Sequence, residues 1–141
     1  MIKFISNSPE ETENIGVNLS KKLIGNEVIA LYGPMGMGKT AFVRGLAKGL
    51  GINEGVCSPT FAIVHEYTGS KKLYHFDMYR VTSFDDLYST GFFDYIDTGI
   101  LVIEWSENIE SVLPQDSLRI DFSPGDNENQ RIIEIQGVDN I

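Results

Sequence analysis

The chain has 141 residues, 42% of them hydrophobic, and a single cysteine. That length suits one domain burying roughly 68% of its unfolded surface without a metal or disulfide staple, and Cys57 reads as a small buried residue of a protein kept in a reducing cytoplasm. Lys plus Arg is 11 against 20 Asp plus Glu, a net charge of −9, which repels polyphosphate backbones and argues against tight, direct binding of DNA or RNA by this chain alone.

No apolar run approaches the length of a membrane span, and residues 1–7 are too short a stretch for a signal peptide, so neither anchor nor leader is expected. In chain order, residues 2–6 predict an opening strand. Ser8-Pro9-Glu10-Glu11 is a capping box with proline at the first helical position. Ile15, Leu19 and Leu23 then recur every four residues, so the helix is expected to continue until Gly25 closes it. Residues 28–32 are a short apolar run of the kind that makes a buried parallel strand, and residues 41–50 are helical in composition, ending near Gly51.

Residues 61–67 and 73–79 flank Thr68-Gly69-Ser70-Lys71 and predict a β-hairpin. Ser83-Phe84-Asp85-Asp86 starts a short helix that stops at Gly91, and residues 92–97 add a further helical turn. Ile100-Leu101-Val102-Ile103 is an aliphatic strand closed by Glu104. Residues 106–112 are expected to form a helix capped by Ser106 and ended by Leu113-Pro114. Residues 117–122 and 131–136 flank Pro124-Gly125-Asp126-Asn127 and predict a terminal hairpin. The sum is an α/β fold, a P-loop NTPase-like mixed sheet flanked by helices, with β-hairpins.

The stretch that organises the rest is Gly33-Pro34-Met35-Gly36-Met37-Gly38-Lys39-Thr40. It fits G-x-x-x-x-G-K-[ST] at every fixed position and lies between a predicted strand and a predicted helix, the context this motif needs. Glycines let backbone N–H groups approach a phosphate with no Cβ in the way, and the helix N-terminus adds further donors and a favourable dipole. Lys39 would reach the β- and γ-phosphates and the Thr40 hydroxyl would sit on Mg²⁺. The predicted nucleotide-binding set is therefore Gly33, Pro34, Met35, Gly36, Met37, Gly38, Lys39, Thr40 and Ala41. The competing reading is an ordinary glycine-rich turn before a helix.

A nucleotide with Mg²⁺ also needs carboxylates. Glu104, an acid closing an aliphatic strand, is the first choice, with the role of positioning or activating the attacking water, directly or through the metal shell; an exposed strand-end acid is the plain alternative. Asp77 lies in His75-Phe76-Asp77-Met78-Tyr79-Arg80, where strand alternation puts His75, Asp77 and Tyr79 on one face. Its alternative is a salt bridge with Lys72 or Arg80. Thr60 follows Ser58-Pro59, where a plain turn threonine competes with a hydroxyl aimed at phosphate or metal. His65 and His75 read as strand residues with hydrogen-bonded rings, since zinc spacing is lacking. Trp105 reads as half-buried packing, with stacking on a base or a partner as the alternative.

Taken together, these segments resemble one family: the bacterial ATPase of transfer-RNA threonylcarbamoyladenosine synthesis, known as TsaE and formerly YjeE. The phosphate loop is shared with very many proteins. Its combination with Ser58-Pro59-Thr60-Phe61, His75-Phe76-Asp77-Met78-Tyr79-Arg80 and Glu104-Trp105 is far more specific, and the similarity in order and spacing spans nearly the whole chain. The resemblance implies a cytoplasmic, Mg²⁺-dependent ATP hydrolase that binds ATP and ADP. It also implies slow turnover alone and a complex with two threonylcarbamoyl-transferase proteins of the TsaD and TsaB type, which modify the adenosine next to the anticodon and through which transfer RNA is reached. In that family Thr40 and Asp77 correspond to metal-shell residues, Glu104 to the hydrolytic carboxylate and Thr60 to a switch-like threonine, with Lys39 catalytic beside Glu104. Met37 departs from the pattern, standing where a small residue is more usual.

Three rivals compete with this reading. A small-molecule kinase needs an acceptor site and usually arginines on a lid; this chain has only Arg44, Arg80, Arg119 and Arg131, with no evident lid segment. A GTPase would carry an Asn-Lys-x-Asp element, and none is present. A non-catalytic module with a structural nucleotide would not need Glu104.

Overall fold

The computed structural model describes residues 1–56 and 63–141. Two apolar strands set its centre: β2 (Val28–Tyr32) and β5 (Ile100–Glu104) are buried at every position and run parallel to each other. Strands buried on both faces need no alternation, which is why both read as continuous aliphatic runs. The other strands are β1 (Ile2–Ser6), β3 (Val64–Thr68), β4 (Lys72–Asp77), β6 (Leu118–Pro124) and β7 (Arg131–Gln136). They complete a seven-stranded sheet in the order β1-β7-β6-β2-β5-β4-β3. The four central strands β6, β2, β5 and β4 are mutually parallel. The hairpin β3–β4 closes one side and the antiparallel strands β7 and β1 the other. This is the α/β architecture the sequence predicts, mixed sheet and both hairpins included. Segment 57–62, which carries Cys57, Thr60 and the predicted start of the first hairpin strand, lies outside the described residues.

Helices α1 (Pro9–Ser20) and α2 (Lys39–Gly49) pack together on one face of the sheet, with α3 (Phe84–Ser89) and α4 (Phe92–Tyr95) on the other. The α1–α2 contact is close because it is made by backbone. A Cβ on Gly45 would collide with the Glu13 carbonyl oxygen, and one on Gly16 with that of Phe42. α1 starts as predicted, its Ser8 hydroxyl accepting from the Glu11 N–H at 3.1 Å. It ends at Ser20, short of Gly25. The next residues make tight turns, Lys22 N–H to Leu19 O and Leu23 N–H to Ser20 O, and these still bury Leu23. The four-residue spacing of Leu23 thus continues the apolar face without continuing the helix.

A second correction follows β5. Instead of a helix over 106–112 there are two short 3₁₀ turns, Ser106–Asn108 and Glu110–Val112. The interruption lies at Ile109, whose backbone (φ −129°) leaves the helical region between the two turns, while its side chain is buried. The Ser106 hydroxyl does not cap a helix; it donates to the Ile103 carbonyl at 2.9 Å.

Candidate nucleotide site

β2 ends at Tyr32, and the chain leaves it through Gly33 at φ +131°, where a Cβ would strike the Phe122 carbonyl of β6. Glycine is required there by conformation and by space. Gly36 and Gly38 also have positive φ, and Gly38 immediately precedes α2. Whereas Ser8 caps α1 and Ser83 caps α3 with side-chain hydroxyls, Gly38 offers α2 no side-chain cap. The N–H of Phe42, fourth in the helix, donates to the Gly38 carbonyl, so those of Lys39, Thr40 and Ala41 precede the first helical hydrogen bond. Pro34, Met35 and Gly36 are exposed at the loop tip, Thr40 is half-buried and Ala41 buried. Met37, the unusual loop residue, packs its side chain against the core under α2.

Lys39 is 6% exposed, yet no carboxylate among the described residues pairs with it. Its amino group donates to the Gly33 carbonyl at 2.6 Å and lies 5.4 Å from the centre of the Trp105 ring. A buried cation satisfied by one carbonyl and an aromatic face retains donors for an anion.

The two carboxylates reach the same region by strand alternation. Leu73, Ile100 and Val102 belong to the core under α1 and α2, while Tyr74, Phe76, Leu101 and Ile103 belong to the core under α3 and α4. Two residues further along, His75, Asp77 and Glu104 therefore face the α2 side. Asp77 and Glu104 are register partners at the ends of parallel strands. Burial raises the Asp77 carboxyl above the ordinary carboxylate range and the Glu104 charge pushes the same way; the Tyr79 N–H, donating to it at 2.9 Å, opposes both. Of the alternative partners, Lys72 pairs with Glu66 instead, while Arg80 makes no ion pair with Asp77 among the described residues but lowers its proton affinity electrostatically.

The loops beyond the acids are tied together. Met78 N–H donates to the Glu104 carbonyl at 3.0 Å, and the Asn108 amide donates to the Met78 carbonyl at 2.8 Å. Trp105 takes the left-handed conformation at φ +60°, unusual for a residue with a Cβ. This turns the chain sharply out of β5 and sets its ring against Tyr79 and beneath Lys39.

Three contacts were not legible in the sequence. His75 Nε2 lies 2.6 Å from Glu104 Oε2, Asn108 bridges the two loops, and the Arg131 guanidinium reaches the Gly36 carbonyl at 3.4 Å. Strand alternation put His75 on the Asp77 face, but the register with Glu104 was not available from one sequence.

A strand, a glycine loop and a helix, with a lysine free of any carboxylate among the described residues and two strand-end acids on one side of a mixed sheet with a parallel centre, define a P-loop NTPase-like fold. Comparisons narrow this further. The family profile described as "Threonylcarbamoyl adenosine biosynthesis protein TsaE" matches residues 6–133. The tRNA threonylcarbamoyladenosine biosynthesis protein TsaE of Treponema pallidum is 39% identical over 84% of this chain and 89% of its own. The protein of the same name from Bacillus subtilis is 39% identical over 92% of this chain and 82% of its own. The crystal structure of Bacillus subtilis YdiB superposes with a TM-score of 0.73 at 36% identity, covering 94% of this chain and 82% of that one. The chain belongs to the TsaE family, the threonylcarbamoyladenosine biosynthesis proteins.

Proposed function

We propose that this protein is the Mg²⁺-dependent ATPase of transfer-RNA threonylcarbamoyladenosine synthesis, acting in the cytoplasm with two threonylcarbamoyl-transferase proteins of the TsaD and TsaB type. The observation that carries the reading is the placement of Lys39, at the start of α2 and against the Trp105 ring, on the side of the sheet where Asp77 and Glu104 end the adjacent parallel strands β4 and β5. The residues present suit a nucleotide. An uncapped helix start and the unpaired Lys39 offer donors to phosphates. Among the described residues no group of three His, Cys, Asp or Glu side chains could hold a metal alone. That fits Mg²⁺, which takes one or two carboxylates and completes its shell with phosphate oxygens and water.

Gly33 to Ala41 would hold the phosphates, Thr40, Asp77 and Glu104 the metal, and Thr60 would complete the nucleotide site. When bound, the metal–nucleotide supplies the phosphoryl group and neutralises its charge. Lys39 adds fixed positive charge beside it. Glu104 orients a water and accepts its proton through a carboxylate oxygen. The charge of −9 and the acidic site leave transfer RNA to the partners. Among the described residues no helix is long and apolar enough to cross a membrane.

Reconstitution tests the reading: this protein, the two partner proteins, transfer RNA, threonylcarbamoyl donor and ATP, with modified nucleoside measured. Modification should depend on this protein and on Glu104. A small-molecule kinase would instead release ADP only when a hydroxyl acceptor is added.

A further inference from the structure

We infer that His75 is a positioning residue for Glu104, holding its carboxylate by one oxygen so that the other is free to work on water. The inference rests on the proposed hydrolytic role of Glu104. It starts from burial. His75 is wholly inaccessible, on the interior strand β4 between β3 and β5, so it cannot itself touch a nucleotide. At such a position an aliphatic side chain would pack without leaving any polar atom to satisfy.

The ring has one partner among the described residues. Its Nε2 lies 2.6 Å from Glu104 Oε2, a short distance of the kind found when a donor meets a carboxylate. Its Nδ1 is buried and has no partner among the described residues. A proton on Nδ1 would be a buried donor without an acceptor, whereas a lone pair there costs less, so the ring proton belongs on Nε2, donated to Glu104. Glu104 Oε1 has no hydrogen-bond partner among the described residues. Glu104 is the last residue of β5, and Trp105 turns away in the left-handed conformation. A glutamate there has three side-chain torsions to fix, and the bond from a rigid strand residue fixes its far end. Orientation of this sort is worth much to a reaction, since a displacement of about 1 Å at a reacting group can cost roughly a hundredfold in rate.

The test uses the full-length chain with ATP and Mg²⁺. His75→Phe keeps the ring and removes the donor, and His75→Gln keeps an N–H donor at nearly the Nε2 position. His75→Phe should lower single-turnover hydrolysis by roughly tenfold to a hundredfold while the nucleotide Kd stays within about twofold of wild type. His75→Gln should recover much of the loss, and His75→Phe should cost nothing further in a Glu104→Gln background. The chain has two histidines, so ¹⁵N-histidine NMR of the nucleotide-free protein gives a readout independent of turnover. His75 should show the Nε2–H form, with a resonance that moves in Glu104→Gln. A His75→Phe protein of wild-type rate beside an impaired Glu104→Gln overturns the inference, as does a proton on Nδ1 or an equal loss of affinity and rate. If His75→Phe does not fold, the NMR form and the His75→Gln rate decide. Wild-type hydrolysis by Glu104→Gln would overturn the underlying reading of Glu104 instead.

Discussion

Asp77 and Glu104 lie side by side in register at the ends of parallel strands β4 and β5, so two carboxylates share one small, partly buried region. The Glu104 charge held beside Asp77 raises its proton affinity. Burial is the larger cause for Asp77, with Glu104 adding to it. The folded state therefore holds the Asp77 proton more tightly than the unfolded chain. Its contribution to stability is most favourable below the unfolded pKa and declines as pH rises through the raised folded one. Asp77→Asn keeps an acceptor for the Tyr79 N–H and removes the charge. In the metal- and nucleotide-free protein it should raise Tm at neutral pH, with the gain shrinking as pH falls through the carboxylate range. The same variant should lose Mg²⁺ dependence of nucleotide binding. A Tm difference that is flat with pH would show that the ionised carboxylate carries no cost.

Lys39→Ala should weaken ATP binding by at least about tenfold, the range expected for losing hydrogen bonds to a charged group. Among the described residues Lys39 contacts the Gly33 carbonyl and the Trp105 ring and pairs with no carboxylate. Circular dichroism of the variant should match wild type while calorimetry shows the loss. Unchanged affinity would remove Lys39 from the site.

Glu104→Ala should leave nucleotide affinity largely intact and lower hydrolysis by roughly a hundredfold or more. Binding and single-turnover rates measured on the same preparation separate the two effects. A loss confined to affinity would make Glu104 a metal ligand without a role in water attack.

Gly45→Ala tests how the α1–α2 pair supports the phosphate loop. The added methyl group would collide with the Glu13 carbonyl on the facing helix, and two packed helices separate only with loss of neighbouring contacts. Overpacking of this kind costs about 1–3 kcal/mol, read as a drop in the urea midpoint at unchanged m-value. A stability equal to wild type would mean that the helices adjust freely.

Much of this was legible in the sequence. The apolar runs 28–32 and 100–103 are uninterrupted because the central strands are buried on both faces, and the glycine loop fixed the strand and helix around it. Capping residues Ser8 and Ser83 located two helix starts correctly. The misses have local causes. Leu23 keeps helical spacing in a turn, and the helix expected from the Ser106 cap and the Leu113-Pro114 stop is broken at Ile109, whose backbone leaves the helical region. The His75–Glu104 pair depends on the register of β4 against β5, residues 29 positions apart. Strand pairing at that range is a tertiary fact that local pattern does not encode.

The last prediction concerns the partners. Phosphate-loop hydrolases need positive charge near the transferred phosphoryl group, and many receive an arginine in trans, worth roughly 10³ or more in rate. Two of the four arginines are held by partners of their own. Arg119 is held by Asp121 and Glu110, with its guanidinium 3.8 Å from the Tyr32 ring centre. Arg44 is exposed on α2; Arg80 is exposed just beyond Asp77, acts on its carboxyl electrostatically, and is the arginine that could serve in cis. Arg131 comes nearest the loop, but it donates to the Glu128 and Gln130 carbonyls at 2.6 and 3.0 Å and reaches the Gly36 carbonyl with a longer contact. It supports the loop tip from outside. Isolated protein should therefore hydrolyse ATP slowly, and saturation with the two partner proteins should accelerate single-turnover hydrolysis by a factor on the order of 10³. Arg131→Ala should change the isolated rate by less than about threefold. If the isolated protein turns over as fast as the complex, the site is completed in cis, by Arg80 or Arg131, and needs no partner for its chemistry.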